Sequence, residues 1–221
     1  MQEKSKTNPE LGEAVHKHLE KVGVETPMND YFGNDAGKKD IIEKSFREIM
    51  HALNLDLNDD SLVDTPKRVA KMYIDELFYG LNYKNFPKCT VVKNKMGYEE
   101  MVIEKDITAI SNCEHHFIVI DGHCHIAYIP KDNVLGLSKM NRIVDFFCKR
   151  PQIQERCTEQ IYHALSFILK TKDIAVVLEG VHYCVKARGI RDTNSSTITS
   201  KMGGVFRENS DCRREFLSLI K

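Results

Sequence analysis

The 221-residue chain is 42% hydrophobic and 29% charged, which excludes a wholly disordered protein and suits one soluble core with a smaller extension. Its 32 Lys and Arg balance 32 Asp and Glu, which excludes a protein that holds nucleic acid or anionic lipid through bulk charge, so an anionic ligand must meet a local cluster. Seven cysteines, an odd number, and the start Met1-Gln2-Glu3-Lys4-Ser5 without an apolar export segment point to a reduced, cytoplasmic protein, and no apolar run approaches the roughly 20 residues of a membrane-spanning helix.

Asn8-Pro9-Glu10 supplies an N-cap, a first-turn proline and an acidic residue suited to the helix dipole. Leu11, Val15, His18 and Val22 follow at helical spacing, which predicts a short amphipathic helix. Glu25 to Gly37 contains Pro27, Asn29, Asp30, Gly33, Asn34, Asp35 and Gly37, a turn-rich composition that predicts a linker and a boundary. From Lys38, the apolar positions Ile41, Ile42, Phe46, Ile49, Met50 and Leu53 predict a second helix, and Asp64-Thr65-Pro66 caps a third that runs to about Gly80. Lys67, Arg68 and Lys71 cluster on that third helix, either as a solvated basic face or as an anion contact.

After Phe86-Pro87 the texture becomes β: Cys89 to Lys93, Glu100 to Ile110, then Phe117 to Ile120 and His123 to Ile129 joined at Asp121-Gly122, which predicts a hairpin. Leu137-Ser138-Lys139 opens a helix with Ser138 as N-cap. Arg150-Pro151 breaks it, and Pro151 starts the next helix, with Ile153, Cys157, Ile161, Leu165 and Ile168 as its buried stripe. Ile174 to Gly189 returns to β, followed by a Ser/Thr-rich stretch, the Gly203-Gly204 turn and a last segment from Arg213 to Ile220. The expected organisation is α+β: residues 1–37 an N-terminal helix and linker, 38–99 a helical region leading into the core, and 100–221 a β-rich core.

Two stretches carry metal-ligand chemistry. Cys113 and His116 stand three apart in Cys113-Glu114-His115-His116, so one turn can aim both at one ion. Downstream, alternation in Val181-His182-Tyr183-Cys184-Val185-Lys186-Ala187-Arg188 predicts a strand with His182, Cys184, Lys186 and Arg188 on one face. Cys113, His116 and Cys184 then make a zinc site of three protein ligands with an open fourth position, and His115 and His182 are left as nearby imidazoles for proton transfer. The plainer reading of Cys184 is a buried strand thiol. His123-Cys124-His125 is locally richer in donors, but alternation puts Cys124 opposite the two histidines, which favours surface or packing roles.

Lys139 and Arg142 lie one turn apart at a helix start, where free N–H groups favour an anion, and Arg188 adds a third cation for a polyphosphate. Neither GxxxxGK[ST] nor GxGxxG occurs, so side chains rather than a glycine cradle would hold the phosphates. Gln154-Glu155 opens the following helix. A carboxylate there can accept the N1–H and amino protons of guanine, and the helix dipole explains Glu155 equally well.

Taken together, Cys113-Glu114-His115-His116, Gly136-Leu137-Ser138-Lys139-Met140-Asn141-Arg142, Arg150-Pro151-Gln152-Ile153-Gln154-Glu155-Arg156 and His182-Tyr183-Cys184-Val185-Lys186-Ala187-Arg188-Gly189 closely resemble GTP cyclohydrolase I of the bacterial type, over about Phe46 to the C-terminus. The resemblance implies a T-fold of ββααββ order behind a helical N-terminal extension, assembled as a homodecamer with active sites between subunits. It implies conversion of GTP and water to formate and 7,8-dihydroneopterin triphosphate, the entry to folate or tetrahydropterin synthesis. It also implies one Zn2+ per subunit on Cys113, His116 and Cys184, with His182 as proton donor to guanine N7 and His115 as a second acid/base. Ser138 would assist at the ribose, Gln154 and Glu155 would hold the guanine edge, and Lys139, Arg142 and Arg188 the triphosphate. Arg68 and Lys71 match basic positions that reach a neighbour's phosphates. No nucleic acid or membrane partner is implied.

Overall fold

A computed structural model of the chain describes residues 4–29 and 35–221, so residues 30–34 of the expected linker lie outside the described residues. The chain divides into two compact units, one made of Pro27–Tyr79 and one that joins the residues up to Thr26 to Gly80–Lys221.

In the larger unit, helix α1 (Pro9–Val22) starts as expected: the Asn8 side chain accepts from the Leu11 N–H at 3.1 Å, and Gly23 closes the helix in the left-handed region at φ 76°. Its buried stripe is Gly12, Val15 and Leu19 rather than the expected row ending at Val22, which is exposed. Just beyond α1, Glu25 and Thr26 accept from the fully buried Arg150 at 3.1 and 3.3 Å. The guanidinium lies against the rings of Tyr83, Phe146 and Phe147 and donates to the Gly80 carbonyl.

The smaller unit holds α2 (Asp35–Ala52) and α3 (Thr65–Met72), the latter prolonged by a π-helical turn over Tyr73–Leu77. Of the apolar row expected on α2, Met50 is buried, whereas Ile41, Ile49 and Leu53 face outward. Asp64 does not cap α3 through its side chain. It is itself helical and pairs with Arg68 at 3.6 Å, leaving Thr65 and Pro66 to open the helix. Lys67, Arg68 and Lys71 are exposed.

The core begins with β1 (Val91–Lys93), β2 (Val102–Thr108), β3 (Ser111–Cys113), β4 (Val119–Tyr128) and β5 (Asn133–Leu135). Then come α4 (Leu137–Cys148), β6 (Pro151–Gln152), α5 (Gln154–Leu169), β7 (Ile174–His182), α6 (Tyr183–Lys186), β8 (Thr197–Met202), α7 (Val205–Glu208) and α8 (Ser210–Leu219). β1 and β5 form a small antiparallel pair. The main sheet runs β6-β3-β4-β7-β8, with β2 also on β4, so β2 and β3 together act as one bent strand beside β4. Two antiparallel strands, two helices and two antiparallel strands give the α+β, ββααββ T-fold. α4 and α5 bury Met140, Ile143, Phe147, Ile161 and Leu165, while Phe206 and Phe216 pack with Ala127, Ala175 and Val177 elsewhere on the sheet. β7, buried over Ile174 to Leu178, therefore reads as a continuous apolar run.

Three expectations are corrected. Asp121-Gly122 is not a turn: β4 runs straight through it, pairing Asp121 with Val181 and Gly122 with Gly180. Gly122 is there because a Cβ would overlap the Glu179 carbonyl, the close backbone approach for which a strand interior uses glycine. Pro151 does not start a helix. It joins β6, pairing in parallel with Asn112, and α5 begins at Gln154. Ser138 is the second residue of α4, whose N-cap is Gly136 with no side-chain cap bond.

A candidate metal centre

Cys113 ends β3, held between β4 on one side and β6 on the other. The chain then reverses in one tight turn. The Phe117 N–H donates to the Cys113 carbonyl at 2.8 Å, and the Cys113 N–H donates to the Ile118 carbonyl at 2.8 Å. Phe117 takes the left-handed conformation at φ 54°, a strained geometry for a bulky residue of the kind that clusters at functional turns. Two contacts pin this turn from α5 and β6: the Glu114 N–H donates to the Gln152 carbonyl at 2.9 Å, and Arg156 grips the Glu114 carboxylate at 2.6 and 3.4 Å.

Cys184 arrives differently from expectation. β7 stops at His182, so His182, Cys184, Lys186 and Arg188 do not share a strand face; Tyr183–Lys186 is a helical turn closed by the Ala187 N–H on the Tyr183 carbonyl at 2.9 Å. The strand ends because its partners end. Ile120, opposite His182, is the last residue of β4 in register with it, and β8 reaches only Gly180. Without a ladder to join, the backbone satisfies itself locally.

The result brings Cys113 Sγ, a His116 ring nitrogen and Cys184 Sγ within 4.8 Å of one another, the one such donor group of three or more among the described residues. Cys113 is buried, Cys184 half-buried and His116 exposed, so the group opens to solvent on one side. A zinc ion bonded at about 2.0 to 2.3 Å in tetrahedral geometry separates its donor atoms by roughly 3.3 to 3.8 Å, within reach of these side chains by small rotations. Burial, and then the adjacent Cys113 thiol, push the Cys184 thiol above its usual pKa, since two thiolates this close repel without a cation between them. Two soft thiols, one imidazole and an open side fit zinc.

His115 is exposed, with Nδ1 3.7 Å from Cys113 Sγ, and Arg188 donates to His116 Nε2 at 2.8 Å. His182 Nε2 lies 2.8 Å from the side-chain oxygen of Gln154. Burial holds the His182 pKa below the usual imidazole value, although Glu155 pulls the other way. Glu155 is exposed on the first turn of α5. Cys113, His115, His116, His182, Cys184 and Arg188, with Gln154 and Glu155, are thus gathered by β3, β7, α6 and α5. Ser138, Lys139 and Arg142 form a second group on the first turns of α4. The charges of Lys139 and Arg142 act on the half-buried Cys89 thiol, whose desolvation nevertheless pushes it up to about 12.

His125 is accounted for by packing: its Nδ1 accepts from the Asp106 N–H at 3.2 Å, within the register shift between β2 and β4, and Cys124 is fully buried. Sequence reasoning missed the Glu114–Arg156 pair. Glu114 stood inside the motif, but nothing local names a partner on another element.

A GTP cyclohydrolase I family model matches residues 42–221. GTP cyclohydrolase 1 of Yersinia pseudotuberculosis is 54% identical over 209 residues, covering 95% of both chains, and that of Serratia proteamaculans is 55% identical over 207 residues, covering 94% of both. A solved structure, the archaeosine synthase QueF-Like in its apo form, overlays 48% of this chain and 95% of its own at TM-score 0.40 and 17% identity.

Proposed function

Because the chain belongs to the GTP cyclohydrolase I family and is an enzyme of that kind, we propose that it converts GTP and water to formate and 7,8-dihydroneopterin triphosphate, the entry step of folate or tetrahydropterin synthesis. The observation that carries this reading is the convergence of Cys113, His116 and Cys184 within 4.8 Å of one another, with an exposed side at His116.

Cys113, His116 and Cys184 would hold one Zn2+. When bound, it supplies water acidified to near neutral pH. The chain's own residues do the rest. Glu155, exposed at a helix N-terminus, accepts the guanine N1–H and amino protons and sets the ring's orientation. His182 delivers a proton to N7 as the imidazole ring opens, and His115 serves as the second acid/base while the formamide is hydrolysed and C8 leaves as formate. Lys139, Arg142 and Arg188 neutralise the triphosphate, and Ser138 assists at the ribose. The enzyme acts in the cytoplasm as a homodecamer with active sites between subunits. Support for assembly comes from β8, which lies at a sheet edge with Ile198 64% exposed, an edge suited to a second chain. No helix among the described residues is long and apolar enough to cross a membrane.

The test is anaerobic incubation with GTP, with and without a strong chelator, following formate and the pterin fluorescence that develops on oxidation. Zinc-dependent release of both is expected. Zinc-replete protein that leaves GTP intact overturns the reading.

A further inference from the structure

Gln154 is 3% exposed, and every polar atom of its amide is engaged inside the protein. Its nitrogen donates to the Leu178 carbonyl of β7 at 2.9 Å and the Thr197 carbonyl of β8 at 2.8 Å, with Thr199 Oγ1 at 3.3 Å. Carbonyl oxygens only accept, so the NH2 group must face them. A flipped amide would set its oxygen against two carbonyls and leave buried groups unpaired. The Gln154 oxygen therefore faces His182 Nε2, 2.8 Å away, and since an amide oxygen only accepts, that ring nitrogen must carry a proton.

The surroundings hold this arrangement in place. Thr158 Oγ1 donates to the Gln154 carbonyl at 2.9 Å and lies 2.6 Å from Thr199 Oγ1, so the helix and the strand share one hydroxyl chain. Gly180 makes room: a Cβ there would sit 2.9 Å from the Gln154 side-chain oxygen.

We propose that Gln154 is a positioning residue, rather than a contact to the guanine edge, and that it fixes His182 with Nε2 protonated so that Nδ1 is the atom that exchanges protons with substrate. Adjacent residues on α5 then have separate jobs. Gln154 reads the sheet and orients a histidine, while Glu155, exposed beside it, holds the base. The inference deepens the cyclohydrolase reading and rests on it for its effect on turnover. The ring's protonation pattern does not depend on that reading.

Solid-state 15N spectra of the sedimented full-length protein, isolated with its metal and labelled at histidine, report the tautomer directly, with His182 assigned by difference against His182→Asn. A protonated Nε2 is expected, and a His182 protonated at Nδ1 alone overturns the proposal. Gln154→Met, which keeps length but removes both polar atoms, should mix the two tautomers. It should lower kcat about ten- to a hundredfold while the KM for GTP moves less than about threefold, as for a misplaced acid/base group. A tenfold rise in KM with kcat unchanged would instead return Gln154 to the guanine edge and sink the proposal. If Gln154→Met does not fold, the wild-type spectrum still decides. Wild-type protein that leaves GTP intact fails the functional reading, whereas active protein with the wrong tautomer fails this one.

Discussion

Glu114, one residue past Cys113 of the proposed metal site, is bound through both carboxylate oxygens by Arg156 on the first turn of α5, at 2.6 and 3.4 Å. The pair holds the Cys113–Phe117 turn against the helix that carries Gln154 and Glu155. Arg156→Ala should therefore weaken zinc binding about tenfold, at the lower end of what supporting contacts around metal ligands contribute, with stability changed by no more than about 1 kcal/mol for a partly exposed pair. Competition against a chromogenic chelator measures the first effect and thermal denaturation the second. Zinc affinity equal to wild type would show that the pair only decorates the turn.

Cys184→Ser should lose zinc and formate release together, by more than the roughly 10- to 100-fold typical of changes one step further from a metal. The helical turn that carries it closes through backbone atoms, the Ala187 N–H and the Tyr183 carbonyl, so circular dichroism and the gel-filtration elution volume should stay unchanged. Wholesale unfolding of the variant would mark the metal as structural.

Gly122→Ala should destabilise the protein by about 2 to 3 kcal/mol, the cost of forcing atoms into a packed interior, because its Cβ would overlap the Glu179 carbonyl and lie 3.0 Å from Gly180 Cα. Denaturant titration gives the value. A variant as stable as wild type would mean that β4 and β7 separate easily at this point.

Asp173 predicts an acid-sensitive term. Burial opposes its charge, but Lys131 at 2.9 Å, the Val205 N–H at 2.9 Å and Thr171 outweigh burial and hold the carboxyl below its usual pKa. The unfolded chain then binds the proton more readily than the folded one, so stability rises with pH. The contribution is complete above the unfolded value of about 3.9 and is lost as pH falls through the lower folded value. Asp173→Asn should cost about 1 to 2 kcal/mol at pH 7, and the two proteins should converge in stability under strong acid. Denaturation curves from pH 7 down to 2 check this, and a difference that does not shrink would assign the effect to shape rather than charge.

Features set by neighbouring residues were legible in the sequence. The Asn8 cap, the passage from strands to two helices and back to strands, and the donor types at Cys113, His116 and Cys184 all follow from local spacing, and the structure brings those three side chains together. What depends on a distant strand was not legible. Asp121-Gly122 has the composition of a hairpin turn until Gly180 is placed opposite it. Alternation through Cys184 looked like a strand because nothing local announces that both partner strands stop short of it. The bonds of the Gln154 amide were not legible either, because the carbonyls that accept from it belong to Leu178 and Thr197, on two strands far along the chain.

Arg150 sits fully buried on three aromatic rings, with Glu25 supplying the only carboxylate within 4.0 Å of it among the described residues. The segment just after α1 is thus tied to the rest of its unit through an ion pair. A shortened chain that began after Thr26 would retain every residue of the proposed site yet strand a guanidinium without its counterion, at a cost on the order of 3 to 5 kcal/mol. Such a trimmed protein would be the wrong starting material for studying the site, because its losses would report on the missing carboxylate before they reported on chemistry.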